Sequence, residues 1–286
     1  MATGQEASFL IGLIGTGIQA SRAPAMHQHE ASAQGLRFVY KLIDLDVFGL
    51  SLDALPDLLV AAEQMGFDGL NITHPCKQAV LPLLHELSDD AAALGAVNTV
   101  QLRGGRRIGH NTDWFGFAEN MRRNLPDAPR DRVVQFGAGG AGSAVAHAAL
   151  VQGVRHLTIT DLDAARASRV AGDLCDRFGA GRAEAVTDAA QAVAAADGVI
   201  NATPIGMAAH PGMAFPAAWL RPSLWVAEVI YFPLETEMLR RARDYGCRTL
   251  DGGGMAVFQA VEAFRLFTGL TADADRMIAH FQSMNQ

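Results

Sequence analysis

Cysteines, long apolar runs and basic clusters are all scarce in this 286-residue chain. Its three cysteines, Cys76, Cys175 and Cys247, are an odd number and lie far apart. This arrangement argues against a disulfide framework and against a zinc cluster, so we expect reduced, structural thiols. Glycine, proline and charged residues interrupt every hydrophobic stretch, and no segment is predicted to cross a membrane.

The charge balance excludes a further class of partner. The chain has 23 basic and 30 acidic residues, a net charge of -7, and no run of Lys and Arg that could neutralise a phosphate backbone. Nucleic-acid binding is therefore not expected. Residues 1–10 lack the basic segment and long apolar stretch of a secretory signal, which predicts a cytoplasmic protein.

The composition is that of a folded protein, since 50% of the residues are hydrophobic and 19% are charged. At this length a single core is near its upper size, so we predict two domains. We place the first at residues 1–113 and the second at residues 114–254. Helices within residues 255–286 are expected to pack back on the first domain.

The first region alternates between strand-like and helix-like segments, the rhythm of βαβ units. Gly104 and Gly105 separate two of the strand-like runs and predict a hairpin. We expect a mostly parallel sheet covered by helices. The predicted strands are residues 8–15, 38–45, 69–73, 97–102 and 107–111. One predicted helix begins at residue 24, and two others cover residues 55–66 and 76–87.

The second region repeats the rhythm and predicts a doubly wound parallel sheet, the Rossmann arrangement, so the fold class is α/β in both domains. Alanine is the strongest helix former, so the Ala-rich residues 185–196 are predicted to be helical. The predicted strands are residues 132–136, 156–161, 198–202, 224–230 and 248–250, and the other predicted helices are residues 114–124, 164–178, 255–268, 273–284 and one that starts at residue 141.

A glycine-rich turn lies between the strand at residues 132–136 and the next helix. It fits the pattern G-x-G-x-x-G, whose glycines allow unusual backbone angles and let a pyrophosphate approach main-chain N–H groups closely. The alternative is a turn that binds nothing, and the flanking strand and helix favour dinucleotide binding. The predicted cofactor-binding residues of this turn are Gly137, Ala138, Gly139, Gly140, Ala141 and Gly142.

An acidic residue ends the next strand. Asp161 lies 19 residues after Gly142, where a carboxylate binds the ribose hydroxyls of NAD and repels the 2′-phosphate of NADP. An NADP site is expected to show Arg or Lys at the start of this loop, whereas Arg166 comes only further on. We therefore predict NAD as the cofactor, with an ordinary helix N-cap as the alternative role of Asp161.

Five segments of the chain, taken together and in their order, resemble motifs of the shikimate dehydrogenase family. They are NITHPCK at residues 71–77, AVNT at 96–99, GHNTDWFG at 109–116, NATPIGM at 201–207 and MAVFQAV at 255–261. The first follows a strand, where α/β folds place ligand sites. The resemblance extends from Gly12 to Gly269 and is strongest to the NAD-dependent quinate/shikimate dehydrogenase branch.

The resemblance implies a substrate domain followed by a cofactor domain, with reversible oxidation of a ring hydroxyl of shikimate or quinate. Both the chorismate pathway of aromatic amino acid biosynthesis and a degradative pathway are consistent with this reaction. The family's catalytic lysine and aspartate map to Lys77 and Asp113. Removal of the hydroxyl proton must accompany hydride transfer to nicotinamide, so Lys77 is the candidate base and Asp113 orients it. Substrate contacts map to Ser21, Thr73, Asn98, Tyr231 and Gln259, and further cofactor contacts to Arg166, Thr203, Met207 and Gly252.

The main departure from the family is at residues 21–24. The family element Ser-x-Ser/Thr-Pro reads Ser21-Arg22-Ala23-Pro24 here, so one hydroxyl expected at the substrate carboxylate is missing. Loss of one neutral hydrogen bond costs roughly 0.5 to 1.5 kcal/mol. Aminoshikimate or another close relative of shikimate is therefore an alternative substrate.

Several residues have ordinary structural interpretations as well. Lys77 alone would be read as a solvated helix residue, Met207 as a gap-filler and Tyr231 as amphipathic core. His27, His29 and His74 lack acidic or cysteine partners at ligand spacing, so no metal is expected.

For a shikimate-type dehydrogenase we expect a monomer or homodimer. Two other functions are alternatives to this one. A non-catalytic sensor of NAD and the same metabolite is disfavoured by the presence of Lys77 and Asp113. A methylenetetrahydrofolate dehydrogenase also has a lysine among βαβ domains, but the segments around Asn98 and Asn111 favour the shikimate family.

Overall fold

A computed structural model describes residues 7–284, which form two compact units. One unit comprises the described residues through Thr112 together with those from Gln259 onward, and the other is Asp113–Phe258. Most of the prediction about a secretory signal concerns residues 1–6, which lie outside the described range. No helix in the described part of the chain is long and apolar enough to span a membrane.

The N-terminal part of the first unit contains one six-stranded sheet in the order β2-β1-β3-β5-β6-β4. Strand β1 pairs in parallel with β2 and with β3, whereas the hairpin formed by β5 and β6 is antiparallel. The strands are β1 (Ser8–Gly15), β2 (Arg37–Asp44), β3 (Gly69–Ile72), β4 (Glu86–Leu87), β5 (Thr99–Arg103) and β6 (Arg106–His110), and the helices are α1 (Ala23–Ala33), α2 (Leu45–Phe48), α3 (Leu55–Gln64), α4 (Cys76–Ala79) and α5 (Asp89–Leu94).

The strand directions bring several polar segments to one edge of this sheet. Strands β1 and β3 are parallel, so the residues after Gly15 and after Ile72 lie at the same edge. Because β5 runs antiparallel to β3, its first residues lie at that edge, and the antiparallel β6 ends there. The hairpin predicted from Gly104 and Gly105 is confirmed, and both glycines have positive φ.

The helix predicted at residues 76–87 is wrong beyond its first turn. Helix α4 ends at Ala79, a 3-10 turn covers Leu81–Leu83, and β4 then pairs with β6. Pro82 has no backbone N–H to donate, and the pairing of Glu86 and Leu87 with β6 draws the following residues into the sheet.

The second unit contains a six-stranded, entirely parallel sheet in the order β12-β11-β10-β7-β8-β9. The predicted doubly wound Rossmann sheet is confirmed, and its strand order reverses at β7. The strands are β7 (Arg132–Phe136), β8 (His156–Thr160), β9 (Ala183–Ala185), β10 (Gly198–Asn201), β11 (Trp225–Glu228) and β12 (Arg248–Leu250), and the helices are α6 (Asp113–Asn124), α7 (Gly140–Val151), α8 (Ala164–Phe178), α9 (Ala190–Ala194) and α10 (Glu237–Asp244).

Apolar layers cover both faces of the parallel sheet. One cluster includes Phe117, Val145 and Trp225, and the other includes Val134, Val199 and Leu239. The helix predicted over residues 185–196 is largely wrong, because only Ala190–Ala194 are α-helical. Ala185 belongs to β9 and pairs with Ile159, so strand pairing outweighs the helix propensity of alanine there.

Two helices close the chain, α11 (Gly252–Thr268) and α12 (Ala274–Ser283). Within the first unit, Gln101 donates a hydrogen bond to the carbonyl of Leu266. Arg276 on α12 forms an ion pair with the buried Glu30 of α1 at 2.7 Å. The first contact joins α11 to β5, and the second joins α12 to α1.

Candidate active site

Lys77 lies on the short helix α4, which begins just after β3. The turn is held by a hydrogen bond from the N–H of Cys76 to the carbonyl of Thr73 (2.8 Å), and the carbonyl of Lys77 accepts the N–H of Val97 (2.9 Å). The side chains of Lys77 and Thr73 are half-buried. The backbone therefore fixes Lys77 beside the residue that precedes Asn98.

Asn98 is the centre of a buried polar network. Its Oδ1 accepts the N–H of Thr112 at 2.7 Å, and its Nδ2 donates to Oγ1 of Thr112 at 3.0 Å. Thr99 donates to Asn98 Oδ1, and Asn71 donates to Thr99. This network satisfies buried polar groups that would otherwise cost free energy, and it gives the edge of the sheet one defined arrangement.

The network extends in two directions. At one end the hydroxyl of Tyr40 donates to Oδ1 of Asn71 at 2.7 Å, and both side chains are buried. At the other end Oγ1 of Thr112 lies 3.5 Å from Oε1 of the half-buried Gln259 on α11. Two of the residues assigned to substrate, Asn98 and Gln259, thus both contact Thr112.

Asp113 is the first residue of α6 and follows Thr112 directly. Its side chain is buried, with 8% of its surface exposed. Because both the N–H and the hydroxyl of Thr112 are bonded to Asn98, the backbone is fixed at the point where Asp113 begins the helix.

Ser21 lies in the loop between β1 and α1. Its Oγ accepts the N–H of Ala23 at 3.3 Å, and Ala23 is the first residue of the helix. The loop is anchored by Asp44 at the end of β2, whose carboxylate accepts the N–H groups of Gly17 (3.1 Å) and Ile18 (3.0 Å). Hydrogen bonding, above all from Gln19, holds the pKa of Asp44 below its usual range.

The glycine-rich turn follows β7, at the point where the strand order reverses. Gly137 has a φ of 98°, and a Cβ there would lie 2.7 Å from the carbonyl oxygen of Ala202. A Cβ on Gly142 would overlap the carbonyl of Gly137, whereas Gly139 and Gly140 have open space around them. The turn leads into α7, whose N-cap Gly139 makes no side-chain cap. These features fit a pyrophosphate, which needs close backbone approach and free helix N–H groups.

A glutamine supports this turn from inside the sheet. Gln135, fully buried in β7, donates from Nε2 to the carbonyls of Gly137 and Gly142, at 2.8 Å each. The two ends of the turn are therefore joined through one side chain. The sequence signal for this residue is a polar side chain inside the apolar run Val133 to Phe136.

Asp161 follows β8 and contacts the same turn. Its Oδ2 accepts the N–H of Ala138 at 2.7 Å, and its Oδ1 accepts a hydrogen bond from Nη2 of Arg166, also at 2.7 Å. The alternative role as a helix N-cap belongs instead to Asp163, which accepts the N–H of Arg166. Burial alone would raise the pKa of Asp161, but these hydrogen bonds outweigh it and hold the pKa below its usual range.

Thr203, Met207, Tyr231 and Gly252 lie after the ends of β10, β11 and β12 in the second unit. Met207 and Tyr231 are about 40% exposed, which argues against purely core roles. Gly252 begins α11, and a Cβ there would overlap the carbonyls of Val229 and Ile230. The loop that carries Tyr231 thus packs against a position where only glycine fits.

The three histidines considered as metal ligands lie in different surroundings. His27 is buried among aromatic rings, including Tyr40 at 5.2 Å between ring centroids, whereas His74 is exposed. His29 stacks on His280, with 4.0 Å between ring centroids. Residues 7–284 contain no group of three or more His, Cys, Asp and Glu residues that could hold a metal ion.

Three further polar residues support the site and were not identified from the sequence: Asp44, Gln135 and Glu228. Glu228 is fully buried at the end of β11 and accepts hydrogen bonds from Asn201 and Thr236. Burial raises its pKa to about 7, although the hydrogen bond from Asn201 acts in the opposite direction. Its sequence signal is a charged residue inside an otherwise apolar run.

Comparison with known families and relatives gives a consistent result. The family model for the shikimate dehydrogenase substrate binding domain matches residues 13–100, and that for the shikimate 5′-dehydrogenase C-terminal domain matches residues 252–280. A relative from Streptomyces avermitilis named shikimate dehydrogenase (NADP(+)) is 57% identical, over 95% of this chain and 94% of its own. A relative from Corynebacterium efficiens named quinate/shikimate dehydrogenase (NAD(+)) is 52% identical, over 97% of this chain and 99% of its own.

A solved structure is similar to this chain over nearly its whole length. Quinate dehydrogenase from Corynebacterium glutamicum, in complex with NAD, is 51% identical, with a TM-score of 0.93 over 97% of this chain and 100% of its own. The parallel sheet, with a glycine-rich turn where its strand order reverses, defines the second unit as a Rossmann-type α/β fold. The relatives then identify the chain as a member of the shikimate dehydrogenase family, as the sequence motifs predict.

Proposed function

We propose that this protein is an NAD-dependent dehydrogenase that oxidises the ring hydroxyl of shikimate, and of quinate as a second substrate, to the 3-dehydro product. The observation that carries the proposal is the buried network of Asn71, Asn98, Thr99 and Thr112 beside the backbone of Lys77. Most of it lies in the range matched by the substrate binding domain model, which supports placing the substrate there. The names of the relatives support the same reaction class.

Lys77 is the proposed base. In the oxidative direction the substrate hydroxyl gives its proton to Nζ of Lys77 while the carbon that bears it loses a hydride, which leaves a ketone. When bound, NAD supplies the acceptor for that hydride. Asp113, the buried residue that follows Thr112, is proposed to orient the lysine and the hydroxyl.

Ser21, Thr73, Asn98, Tyr231 and Gln259 are proposed to bind the substrate hydroxyls and carboxylate. Ser21 and Asn98 are each fixed by their own hydrogen bonds, so they can present polar atoms without first becoming ordered. Ala23 begins α1 without a hydroxyl. Substrates that differ from shikimate at the ring therefore belong in the same test.

The glycine-rich turn and the N-terminus of α7 are proposed to hold the pyrophosphate of the cofactor, with Thr203, Met207 and Gly252 nearby at the strand ends. Asp161 supports NAD over NADP, because its carboxylate would repel a 2′-phosphate. The salt bridge to Arg166 reduces this repulsion without removing the carboxylate from the site. The names of the relatives include both cofactors, so the preference is a property to be measured on this chain.

Initial rates of cofactor reduction test the proposal directly. Shikimate, quinate and aminoshikimate should each be assayed with NAD and with NADP. We expect activity with shikimate and a higher kcat/KM with NAD than with NADP. No turnover of any of the three would contradict the reaction, and a preference for NADP would contradict the cofactor assignment.

The domain roles and cellular setting belong to the same proposal. Residues 1–113, with the helices of residues 255–286, would bind the substrate, and residues 114–254 would bind the cofactor. We propose a cytoplasmic monomer or homodimer that acts on small molecules. Sedimentation of the purified chain and fractionation of cells that express it would check these two points.

A further inference from the structure

Glu228 accepts hydrogen bonds from four different residues. It is the last residue of β11 and none of its surface is exposed. Asn201 Nδ2 donates to both carboxylate oxygens at 3.1 Å. The other donors are the N–H of Val229 (3.1 Å), the N–H of Ile230 (3.3 Å) and the hydroxyl of Thr236 (3.2 Å).

One side of this network fixes the loop after β10. The Nδ2 atom of Asn201 also donates to the carbonyl of Ile205 at 2.9 Å. Its Oδ1 accepts the N–H (3.0 Å) and the hydroxyl (2.7 Å) of Thr203, whose hydroxyl oxygen in turn accepts the N–H of Ile205. The loop that leads to Met207 is therefore folded around Asn201, and Glu228 holds the Asn201 amide.

The other side of the network fixes the loop after β11. The N–H groups of Val229 and Ile230 point to Glu228, immediately before the exposed Tyr231. The same loop packs against Gly206, where a Cβ would lie 3.1 Å from Ile230 and 3.3 Å from Thr236. Thr236 caps α10 by accepting the N–H of Leu239.

We propose that Glu228 is a positioning residue of the enzyme: one buried carboxylate that sets the loop of Thr203 and Met207 and the loop of Tyr231 in a common arrangement. The inference rests on the proposed function, because Thr203 and Met207 are assigned to the cofactor and Tyr231 to the substrate. It assigns Glu228 a role in turnover without contact with either molecule.

Burial raises the pKa of Glu228 to about 7, but the donors around it favour the ionised form and disfavour an amide at this position. All four partners donate to Glu228, and a carboxylate offers acceptor sites on both oxygens. A glutamine would accept on one oxygen and present N–H donors to partners that are already donors. An aspartate would keep both acceptors but would end about one methylene short of Asn201 and Thr236. We therefore expect Glu228→Gln to disturb the network more than Glu228→Asp does.

The test compares Glu228→Gln and Glu228→Asp with the wild type and with Glu235→Gln, which changes an exposed glutamate in the same loop. We expect Glu228→Gln to lower kcat roughly tenfold and to raise the KM for shikimate, the loss that a hydrogen-bonded charged group typically causes. Glu228→Asp should retain part of this activity, and Glu235→Gln should match the wild type. The Kd for NAD should rise by a smaller factor than kcat falls, because the glycine-rich turn and Asp161 are untouched while the loop of Thr203 and Met207 is loosened.

Amide hydrogen exchange separates this inference from the proposed function. In Glu228→Gln, peptides that cover residues 202–207 and 229–236 should exchange faster, whereas residues 137–142 should not change. If the wild type has no dehydrogenase activity but these peptides respond together, the proposed reaction is wrong and the linkage of the loops stands. If kcat and KM stay at wild-type values, or if the two loops respond independently, Glu228 is not a positioning residue.

A second pair of variants covers the case in which Glu228→Gln fails to fold. Thr236→Val removes one donor to Glu228, and Thr236→Ser keeps both that donor and the helix cap. We expect a several-fold lower kcat for the valine variant and near-wild-type kcat for the serine variant. Equal kcat values in the two variants would contradict the proposal.

Discussion

Nη2 of Arg166 lies 2.7 Å from Oδ1 of Asp161, while Oδ2 of the same carboxylate accepts the N–H of Ala138. The carboxylate of Asp161 thus binds both the guanidinium of Arg166 and the backbone of the glycine-rich turn. The guanidinium that could otherwise bind a phosphate is engaged by Asp161. We therefore expect the cofactor preference to depend on both Asp161 and Arg166.

Asp161→Asn should shift the cofactor preference towards NADP. The variant removes the charge that repels a 2′-phosphate and weakens the hold on Arg166, which can then pair with that phosphate. We expect the ratio of kcat/KM for NAD to that for NADP to fall by about tenfold or more. Asp163→Asn, which changes the α8 cap, should leave the ratio in place. An unchanged ratio in Asp161→Asn would remove the basis for the NAD assignment.

Gln135→Leu should weaken NAD binding. The substitution keeps the side chain buried and removes two hydrogen bonds to the carbonyls of Gly137 and Gly142, each worth about 1 kcal/mol. We expect the Kd for NAD, measured by fluorescence, to rise roughly fivefold to thirtyfold. Gln101→Leu, which removes a side-chain bond to the carbonyl of Leu266, is the matched control. A Kd equal to that of the wild type would show that the turn does not need this support.

The parts of the fold that follow from local pattern were predictable. Strand β1, strand β7 and helix α8 have the bounds predicted from the sequence, because each is a distinct apolar or amphipathic segment between turn residues. The short strand β9 was missed because its alanines favour a helix by propensity, whereas pairing with β8 decides the structure there. Helices α5 and α10 were missed as well, although Ser88 and Thr236 cap them.

For the candidate site, the sequence predicts residues that lie in contiguous motifs, and their roles stay predictions. Lys77 follows β3, Asn98 precedes β5 and Asp113 follows β6. Because β3 and β5 are antiparallel neighbours, the segments of Lys77 and Asn98 lie at the same edge of the sheet. Asp44, Gln135 and Glu228 could not be assigned from the sequence alone, since their partners are mostly backbone groups whose positions depend on tertiary structure. A polar residue in an apolar run is the signal that such a group exists, but it does not identify the partner.

Arg276→Leu should destabilise the first unit. Glu30 is fully buried and accepts two hydrogen bonds from Arg276 at 2.7 Å, so the variant leaves a buried carboxylate without its charge partner. We expect a loss of about 2 to 4 kcal/mol in the free energy of unfolding, towards the lower end because Arg276 is partly exposed. Urea denaturation measures this, and Glu30→Gln combined with Arg276→Leu should recover part of it. A loss below about 0.5 kcal/mol would contradict the account.

His27 should make the protein less stable in acid. Burial lowers its pKa from 6.5 to about 3, and neither ring nitrogen has a hydrogen-bond partner in residues 7–284. Between these values the unfolded chain binds a proton that the folded chain does not, so stability is present above pH 6.5 and is lost as the pH falls towards 3.

Denaturation at about pH 7.5 and about pH 5 tests this with His27→Leu. The wild type should lose roughly 2 kcal/mol more than the variant over this range. His210→Gln changes an exposed histidine and should follow the wild type. Parallel losses in the wild type and His27→Leu would show that another group causes the acid sensitivity.

The most direct test of the proposed function uses the two lysines of the chain, Lys77 and Lys41. Lys77→Ala should lower kcat for shikimate oxidation with NAD by about a hundredfold or more, the range expected for loss of a general base, while the Kd for NAD stays near that of the wild type. Lys41→Ala, on the exposed edge of β2, should retain full activity. Turnover by Lys77→Ala at a rate close to that of the wild type would contradict the assignment of Lys77 as the catalytic base.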